Sequence, residues 1–284
     1  MKILILGVSG MLGNAVFRHF SADARLDVYG SVRSSNAINH FSDDSVAKIK
    51  VGVDVENQDL LMNLFLDIKP DVVINCVGLI KQLSDSNSPL VALPINSMLP
   101  HRLALLCDLV HSRLIHISTD CVFSGLKGAY LESDLSDATD LYGRSKLLGE
   151  VYYPNSITLR TSIIGHELST HNALIDWFLN QEERVGGYVR AIYSGLPTVE
   201  LARVIKDFVI PNNSISGLFH VAASPISKYD LLNLVSSVYG KSIEIYKDDS
   251  VVIDRSLNSN KFNTLTGYSP PSWPKLINLM HAFR

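Results

Sequence analysis

The stretch KILILGVSGMLG, residues 2 to 13, decides the fold. Five strand-forming residues, Lys2 to Leu6, run straight into Gly7, Gly10 and Gly13, and a helical pattern from Gly13 to Phe20 follows. Glycine at this GxxGxxG spacing permits a tight turn, lets backbone approach a pyrophosphate, and lets the helix pack close to the strand. Ser9, Met11 and Leu12 complete the expected cradle, whose donors are the unpaired N–H groups of the helix start. A bare glycine triplet also fits a plain strand-to-helix turn; the strand before it and the helix after it favour a nucleotide site. The same stretch does not read as a signal peptide, because the turn interrupts the apolar run at once.

Outward from this turn, short β-branched runs alternate with helical patterns. Strands are expected at Lys2 to Leu6, Leu26 to Ser31, Lys48 to Val53, Asp71 to Asn75, Arg113 to Ser118 and Ser156 to Arg160. Helices are expected at Gly13 to Phe20, Gln58 to Ile68, Ile95 to His111 and Tyr142 to Tyr152. Right-handed crossovers wind such a series into an α/β doubly wound parallel sheet. After Arg160 the alternation loosens: a helix at Asn172 to Asn180, a Gly186-Gly187 turn, a strand through Tyr188 to Tyr193, and a helix from Pro197-Thr198 through Ile210. Gly217 to Ala222 reads as a strand returning to the main sheet, followed by a helix from Ser227 to Tyr239, a strand near Ile243 to Tyr246, and a last helix after Pro270-Pro271. The expected division is a nucleotide-binding domain at 1–163, with 197–222 returning to it, and a smaller substrate lobe at 164–196 and 223–284.

Composition narrows the function. A formal net charge of -3 offers no electrostatic footprint for nucleic acid or an anionic membrane, and no apolar run reads as a bilayer span. Cys76, Cys107 and Cys121 are three in number, in apolar settings and without zinc-site spacing, so they read as reduced thiols in a cytoplasmic protein. The nine histidines lack metalloenzyme spacing as well. Small-molecule chemistry is the default, and a homodimer is compatible with the chain.

The ends of successive strands carry the nucleotide signals. Past the second strand there is no acid for a ribose 2′-hydroxyl; Arg33 offers a guanidinium fork suited to a 2′-phosphate. NADP(H) is therefore the preferred cofactor, with NAD(H) second, although Arg33 is also readable as a solvated strand-end arginine. Asp54 and Val55 follow the third strand, and Cys76, Val77 and Gly78 the fourth, where open parallel sheets bind ligands. Each also fits ordinary turn chemistry.

Tyr142 and Lys146 stand four residues apart at a helix start and so share a face. A phenol titrates near pH 10, and a neighbouring ammonium stabilises its phenolate, which makes the pair a candidate proton donor and acceptor. The pair alone equally fits an amphipathic helix face. Ser118 and Thr119, ending the fifth strand, are candidate hydroxyl donors to a substrate oxygen on which charge develops.

Taken in order, GVSGMLG, NCVG, STDCVF, YGRSK and LRTSIIG resemble the signature of the extended short-chain dehydrogenases/reductases, and within them the dTDP-4-dehydrorhamnose reductase family. The resemblance runs on through GLPTVELARVI, GLFHVAASPISKYDLL and IDRSLNSNKF. It implies a Rossmann fold with a substrate lobe and reduction of a nucleotide-linked 4-keto sugar, with Thr119 as hydroxyl donor, Tyr142 as acid and Lys146 as its partner. Tyr142 and Lys146 would also touch the cofactor ribose. Asp120 and Cys121 are implied near substrate, but Cys121 and Ile163 stand where the family usually has aromatics, which puts the sugar in question. Ala15 stands where some relatives have an acidic metal ligand, so no metal is expected. Lys81 and Arg255 are the candidate substrate contacts, Arg255 for a diphosphate; His166, Asn172, Tyr193 and Ser194 fall in the same lobe, and Trp177 and Trp273 read as packing. Two other readings stay open: an epimerase or dehydratase that recycles NAD(H), and a regulatory subunit that binds NADP(H) without turnover, as in methionine adenosyltransferase.

Overall fold

The computed structural model describes residues 1–79 and 87–284. Fourteen strands are defined among them. They are β1 (Lys2–Leu6), β2 (Asp27–Val32), β3 (Ile49–Val51), β4 (Val72–Asn75), β5 (Arg113–Thr119), β6 (Ser156–Thr161) and β7 (Ile163–Ile164), then β8 (Val185–Tyr188), β9 (Ala191–Tyr193), β10 (Leu196–Pro197), β11 (Gly217–His220), β12 (Ile226–Ser227), β13 (Ile245–Asp248) and β14 (Ile253–Asp254). The main sheet has the order β11-β6-β5-β4-β1-β2-β3, and every pairing in it is parallel. The chain reverses direction across the sheet between β1 and β4, which opens a crevice at their carboxyl ends.

β1 sets this architecture because it is apolar on both faces. Ile3 and Ile5 enter one core with Val16, Phe17 and Phe20 of the helix Met11–Ser21, while Leu4 and Leu6 enter the other with Leu61, Leu64 and Phe65 of the helix Gln58–Ile68. Strand alternation makes that split, and only a sheet covered by helices on both sides satisfies it. Each such side chain contributes roughly 1.5–3 kcal/mol by leaving water. The helix Gln58–Ile68 has the bounds its spacing predicts. Asn57 caps it by accepting from the N–H groups of Asp59 at 3.0 Å and Leu60 at 3.2 Å, and Lys69 ends it in a left-handed conformation.

Several expectations change. The helix expected from Ile95 begins at Pro89 and runs to Leu109, with a π-helical stretch at Leu93–Met98. Pro94 lacks the N–H that a regular turn needs, so the ladder widens there. By length and composition this 21-residue helix is long and apolar enough to cross a bilayer, although His101, Arg102 and Asp108 interrupt its apolar run. Its residues Leu99, Leu103, Ala104 and Cys107 pack instead into the core with Leu4 and Leu6. The helix expected through Tyr152 stops at Leu148, and Gly149, which follows it, lies against the Asn96 carbonyl, where a Cβ would overlap. Gly186 and Gly187 are not a turn but the middle of β8, paired in parallel with β13; the expected strand from Tyr188 to Tyr193 is the end of β8 plus β9. The predicted return of Gly217 to the main sheet is β11, alongside β6.

Beneath the carboxyl ends of β5, β6 and β11 lies a buried polar network. Glu150 accepts from Ser118 Oγ at 2.7 Å, from Arg160 Nε at 2.7 Å and Nη2 at 2.6 Å, and from the Tyr152 hydroxyl at 3.3 Å. Arg160 also points Nη1 at His220 Nε2, 3.4 Å away, while His220 Nδ1 faces the Tyr130 carbonyl at 3.0 Å. These contacts suit a neutral ring protonated on Nδ1, and burial accordingly holds His220 down at about 4. Because Glu150 and Arg160 are both almost fully enclosed, removing one leaves the other charge unpaired. Glu150→Ala should therefore lower the unfolding free energy by about 3–5 kcal/mol in denaturant titrations. A loss below about 1 kcal/mol, the range of exposed ion pairs, would contradict this burial.

Candidate active site

The glycine loop closes on the sheet through backbone contacts. Gly7, at φ +82, donates with Val8 to the Ser31 carbonyl at 3.2 and 3.1 Å, and Gly10 N–H donates to the Gly7 carbonyl at 3.1 Å. A Cβ on Gly13 would overlap that same carbonyl, so glycine alone lets the helix start this near β1. Gly10 has no atom nearer than 3.5 Å to an added Cβ and no side chain caps the helix it begins. The loop thus offers backbone donors with room above them, which fits a dinucleotide pyrophosphate. Ser9, Met11 and Leu12 belong to this same turn and first helical residues.

The neighbouring strand ends converge on the same edge. Arg33 is exposed just past β2. Asp54 takes part in turn chemistry, its carboxylate accepting the Glu56 N–H at 3.0 Å, and Val55 is half-buried beside it. Past β4, Cys76 N–H donates to the Leu6 carbonyl, and Asn75 Oδ1 accepts from Val77 N–H at 3.1 Å. A Cβ on Gly78 would lie 3.5 Å from Asn96 Oδ1 and 3.7 Å from Lys146 Nζ, which joins the cofactor edge to the catalytic helix.

That helix is Leu141–Leu148, started by Asp140, which accepts the Gly143 N–H at 2.8 Å. Asn96 and Ser97, both buried in the π-helical stretch, hold it from behind. Asn96 Nδ2 donates to Ser145 Oγ at 3.1 Å, Asn96 Oδ1 accepts the Leu79 N–H at 2.9 Å, and Ser97 Oγ donates to the Ser145 carbonyl at 2.8 Å. Sequence reasoning passed over these two residues; Pro94 inside a helical pattern was the available signal.

Tyr142 and Thr119 are neighbours. Burial raises the Tyr142 phenol, the negative field of Asp120 adds to it, and the nearby Thr119 hydroxyl opposes it. Thr119 Oγ1 accepts the Cys121 N–H at 3.1 Å and lies 3.2 Å from Asp120 Oδ1, so its one proton can serve either the Asp120 carboxylate or the Tyr142 oxygen. Lys146 is buried and donates to the Ile117 carbonyl at 2.8 Å; burial brings it down to about 8, with Glu150 opposing. Ser118, the other hydroxyl candidate, turns away from this group and is held by Glu150.

The remaining expectations divide. Asp120 is buried, and burial raises its carboxyl against the pull of Arg255. The Cys121 thiol is pushed up to about 12 by burial and by Asp120, so it stays protonated and is no general base near neutrality. Arg255, just past β14, reaches the loop after β5: Nε donates to the Phe123 carbonyl at 2.8 Å and Nη1 points at Cys121 Sγ, 3.8 Å away. Lys81 lies outside the described residues. His166 is fixed between Asp176 at 2.7 Å and the Tyr239 hydroxyl at 2.8 Å, Ser194 Oγ accepts the Leu257 N–H at 3.0 Å, and Trp273 Nε1 donates to the Ser224 carbonyl at 2.7 Å with its ring 5.8 Å from Tyr193. Among the described residues, no group of three or more His, Cys, Asp or Glu side chains is arranged to hold a metal ion.

Comparison with known proteins identifies the family. Over nearly its whole length the chain is similar to a dTDP-4-dehydrorhamnose reductase of Aggregatibacter actinomycetemcomitans, at 23% identity over 99% of this chain and 93% of that protein. A probable low-salt glycan biosynthesis reductase, Agl14 of Haloferax volcanii, is 31% identical over 90% of this chain and 84% of its own length. The mouse methionine adenosyltransferase 2 subunit beta is 24% identical over 98% and 89%. In structure, the dTDP-4-dehydrorhamnose reductase of Bacillus anthracis in complex with NADP superposes with a TM-score of 0.80 at 20% identity, covering 99% of this chain and 98% of that one. The family described as RmlD substrate binding domain matches residues 1–277, and the chain belongs to it.

Proposed function

We propose that this protein is an NADPH-dependent reductase that converts the 4-keto group of a nucleotide-linked deoxysugar to an alcohol. The observation that carries the reading is that buried Lys146 donates to the Ile117 carbonyl, two residues before Thr119 at the end of β5, with Tyr142 one turn away on the same helix, at the sheet edge that also bears the glycine loop. Residues 1–163 with 197–222 hold the cofactor, and 164–196 with 223–284 hold the sugar nucleotide. The cytoplasmic assignment rests on Cys76, Cys107 and Cys121 as free thiols.

In this reading the backbone of Gly7 to Gly13 and of Cys76 to Gly78 holds NADPH, Asp54 and Val55 border the adenine, and Arg33 pairs with the 2′-phosphate. NADPH supplies the hydride. Thr119 donates to the carbonyl oxygen of the substrate, where negative charge develops, and Tyr142 gives that oxygen its proton. A phenol raised by burial remains protonated near neutrality and so starts in the donor form. Lys146, depressed to about 8, is mostly protonated at pH 7 and lies where it can hold a ribose hydroxyl and favour the tyrosinate left behind. Asp120 competes for the Thr119 proton until a substrate oxygen takes it.

A dehydratase needs a further base, which the protonated Cys121 thiol does not supply, and an epimerase returns its hydride to the sugar and so consumes no NADPH. The regulatory-subunit alternative draws on the methionine adenosyltransferase likeness and is opposed by retention of Thr119, Tyr142 and Lys146. Tyr142→Phe should abolish NADPH oxidation with a keto-sugar nucleotide and leave the NADPH dissociation constant nearly unchanged; undiminished turnover in that variant would refute the mechanism. The adjacent hydroxyls should separate cleanly. Thr119→Val should cost about 10²-fold in kcat. Ser118→Ala should keep kcat within a few-fold and instead lose about 1.5–3 kcal/mol of stability, since its bond is to a charged carboxylate. The opposite pattern would reassign the two.

A further inference from the structure

Past β6 the chain runs from the level of the candidate catalytic hydroxyl to the glycine loop. Thr161, the last residue of β6, stands opposite Thr119 in the β5–β6 register. From there Ser162 leads into β7, which pairs in parallel with β10, and the Ser162 carbonyl accepts the Leu196 N–H at 2.8 Å. Gly165 follows, and a Cβ there would overlap Thr198 Oγ1 and lie 3.4 Å from Met11 Cγ, at the start of the helix Met11–Ser21. One stretch, Thr161 to Gly165, thus spans the interval between Thr119 and the backbone donors of the glycine loop.

The far end of that stretch is locked at the next residue. His166 Nδ1 lies 2.7 Å from Asp176 Oδ1 and Nε2 lies 2.8 Å from the Tyr239 hydroxyl, so both ring nitrogens are engaged. A carboxylate only accepts, so Nδ1 carries a proton, while the tyrosine hydroxyl can complete the bond at Nε2 in either sense. Asp176 uses its other oxygen to accept the Glu167 N–H at 2.6 Å, and Glu167 accepts those of Asn172 at 2.7 Å and Ala173 at 2.8 Å. Asp176 belongs to the helix Leu174–Leu179 and Tyr239 ends the helix Lys228–Tyr239. The two helix ends are tied a second time, because Lys241 Nζ donates to the Leu179 carbonyl at 2.8 Å. Apolar side chains at these positions would hold the helices together; bonds to both ring nitrogens also fix where His166, and with it the end of the stretch, must lie.

We propose that the Asp176–His166–Tyr239 clasp positions the cofactor: it fixes the stretch Thr161 to Gly165 as the wall against which the nicotinamide half of NADP(H) is held. This rests on the reductase reading, which puts the pyrophosphate at the glycine loop and the nicotinamide between that loop and Thr119. The three residues are positioning residues. They act through the backbone of Ser162 to Gly165 and leave the chemistry to Thr119 and Tyr142. The adenosine half of the cofactor, assigned to the ends of β2 and β3, lies outside their reach.

The test is calorimetric binding of two probes to the unaltered protein, Y239F and H166A: NADPH, and adenosine 2′,5′-bisphosphate, which keeps the adenosine 2′-phosphate and lacks the nicotinamide. Y239F removes one bond and keeps the ring that packs 4.5 Å from His281, so it is the variant least able to disturb folding. It should bind NADPH about threefold to tenfold more weakly, the loss of one neutral hydrogen bond, and H166A, which loses both, about tenfold or more. Binding of the bisphosphate should stay within about twofold in all three proteins, which also reports that the variants are folded. With a turned-over substrate, KM for NADPH should rise while KM for the keto sugar nucleotide holds. Equal weakening of both probes, or a lowered melting temperature with NADPH binding unchanged, would make the clasp a structural brace and overturn its role, leaving the reductase reading standing. Failure of the unaltered protein to bind NADPH would defeat the reductase reading itself, and the role of the clasp with it.

Discussion

At the end of β5 two hydroxyl residues stand side by side, and strand alternation sends them to opposite faces. Ser118 goes inward to Glu150 and so to Arg160 and His220; Thr119 goes outward to Asp120 and Tyr142. The buried network fixes the strand end, and the strand end fixes where the reacting hydroxyl lies. A slip of one residue would exchange the two, placing a reactive group in the network and a structural one in the cleft. The site depends on that register as much as on the identity of its residues.

The catalytic helix is held with comparable firmness from behind. Asn96 and Ser97 reach Ser145 because Pro94 opens the helix Pro89–Leu109 into a π-helical stretch at the point where the two helices meet. Gly149 then lets the chain leave the helix against the Asn96 carbonyl. Tyr142 and Lys146 thus sit on an element locked by backbone and buried side chains, the preorganisation that proton transfer to a developing alkoxide requires. Burial keeps the Tyr142 phenol protonated while bringing Lys146 near neutrality, and each shift suits a donor and its supporting cation.

Much of this was legible in the sequence because its signals were local. The strand Lys2–Leu6, the glycine loop and the helix Gln58–Ile68 are written in periodicity and caps, and the edge to which the strand ends converge follows from the parallel topology. The residues alone left Ser118 and Thr119 open, since the deciding partner, Glu150, lies beyond the intervening helix, and the family resemblance pointed to Thr119. Gly186 and Gly187 were misread because glycine marks turns, yet here they leave room for Tyr229 and Tyr246 against a two-stranded sheet. The apolar helix Pro89–Leu109 is a case where composition points toward a membrane and packing onto β1 and β4 accounts for it instead.

The central claim is net transfer of hydride to a sugar carbonyl, and isotope tracing tests it most directly. The protein is given NADPH deuterated at the transferable position together with dTDP-, UDP- and GDP-linked 4-keto sugars, and the products are weighed by mass spectrometry. Net reduction predicts one NADP⁺ formed per sugar reduced, with one deuterium on the former carbonyl carbon. A rearranged sugar without label and without net loss of NADPH would contradict it.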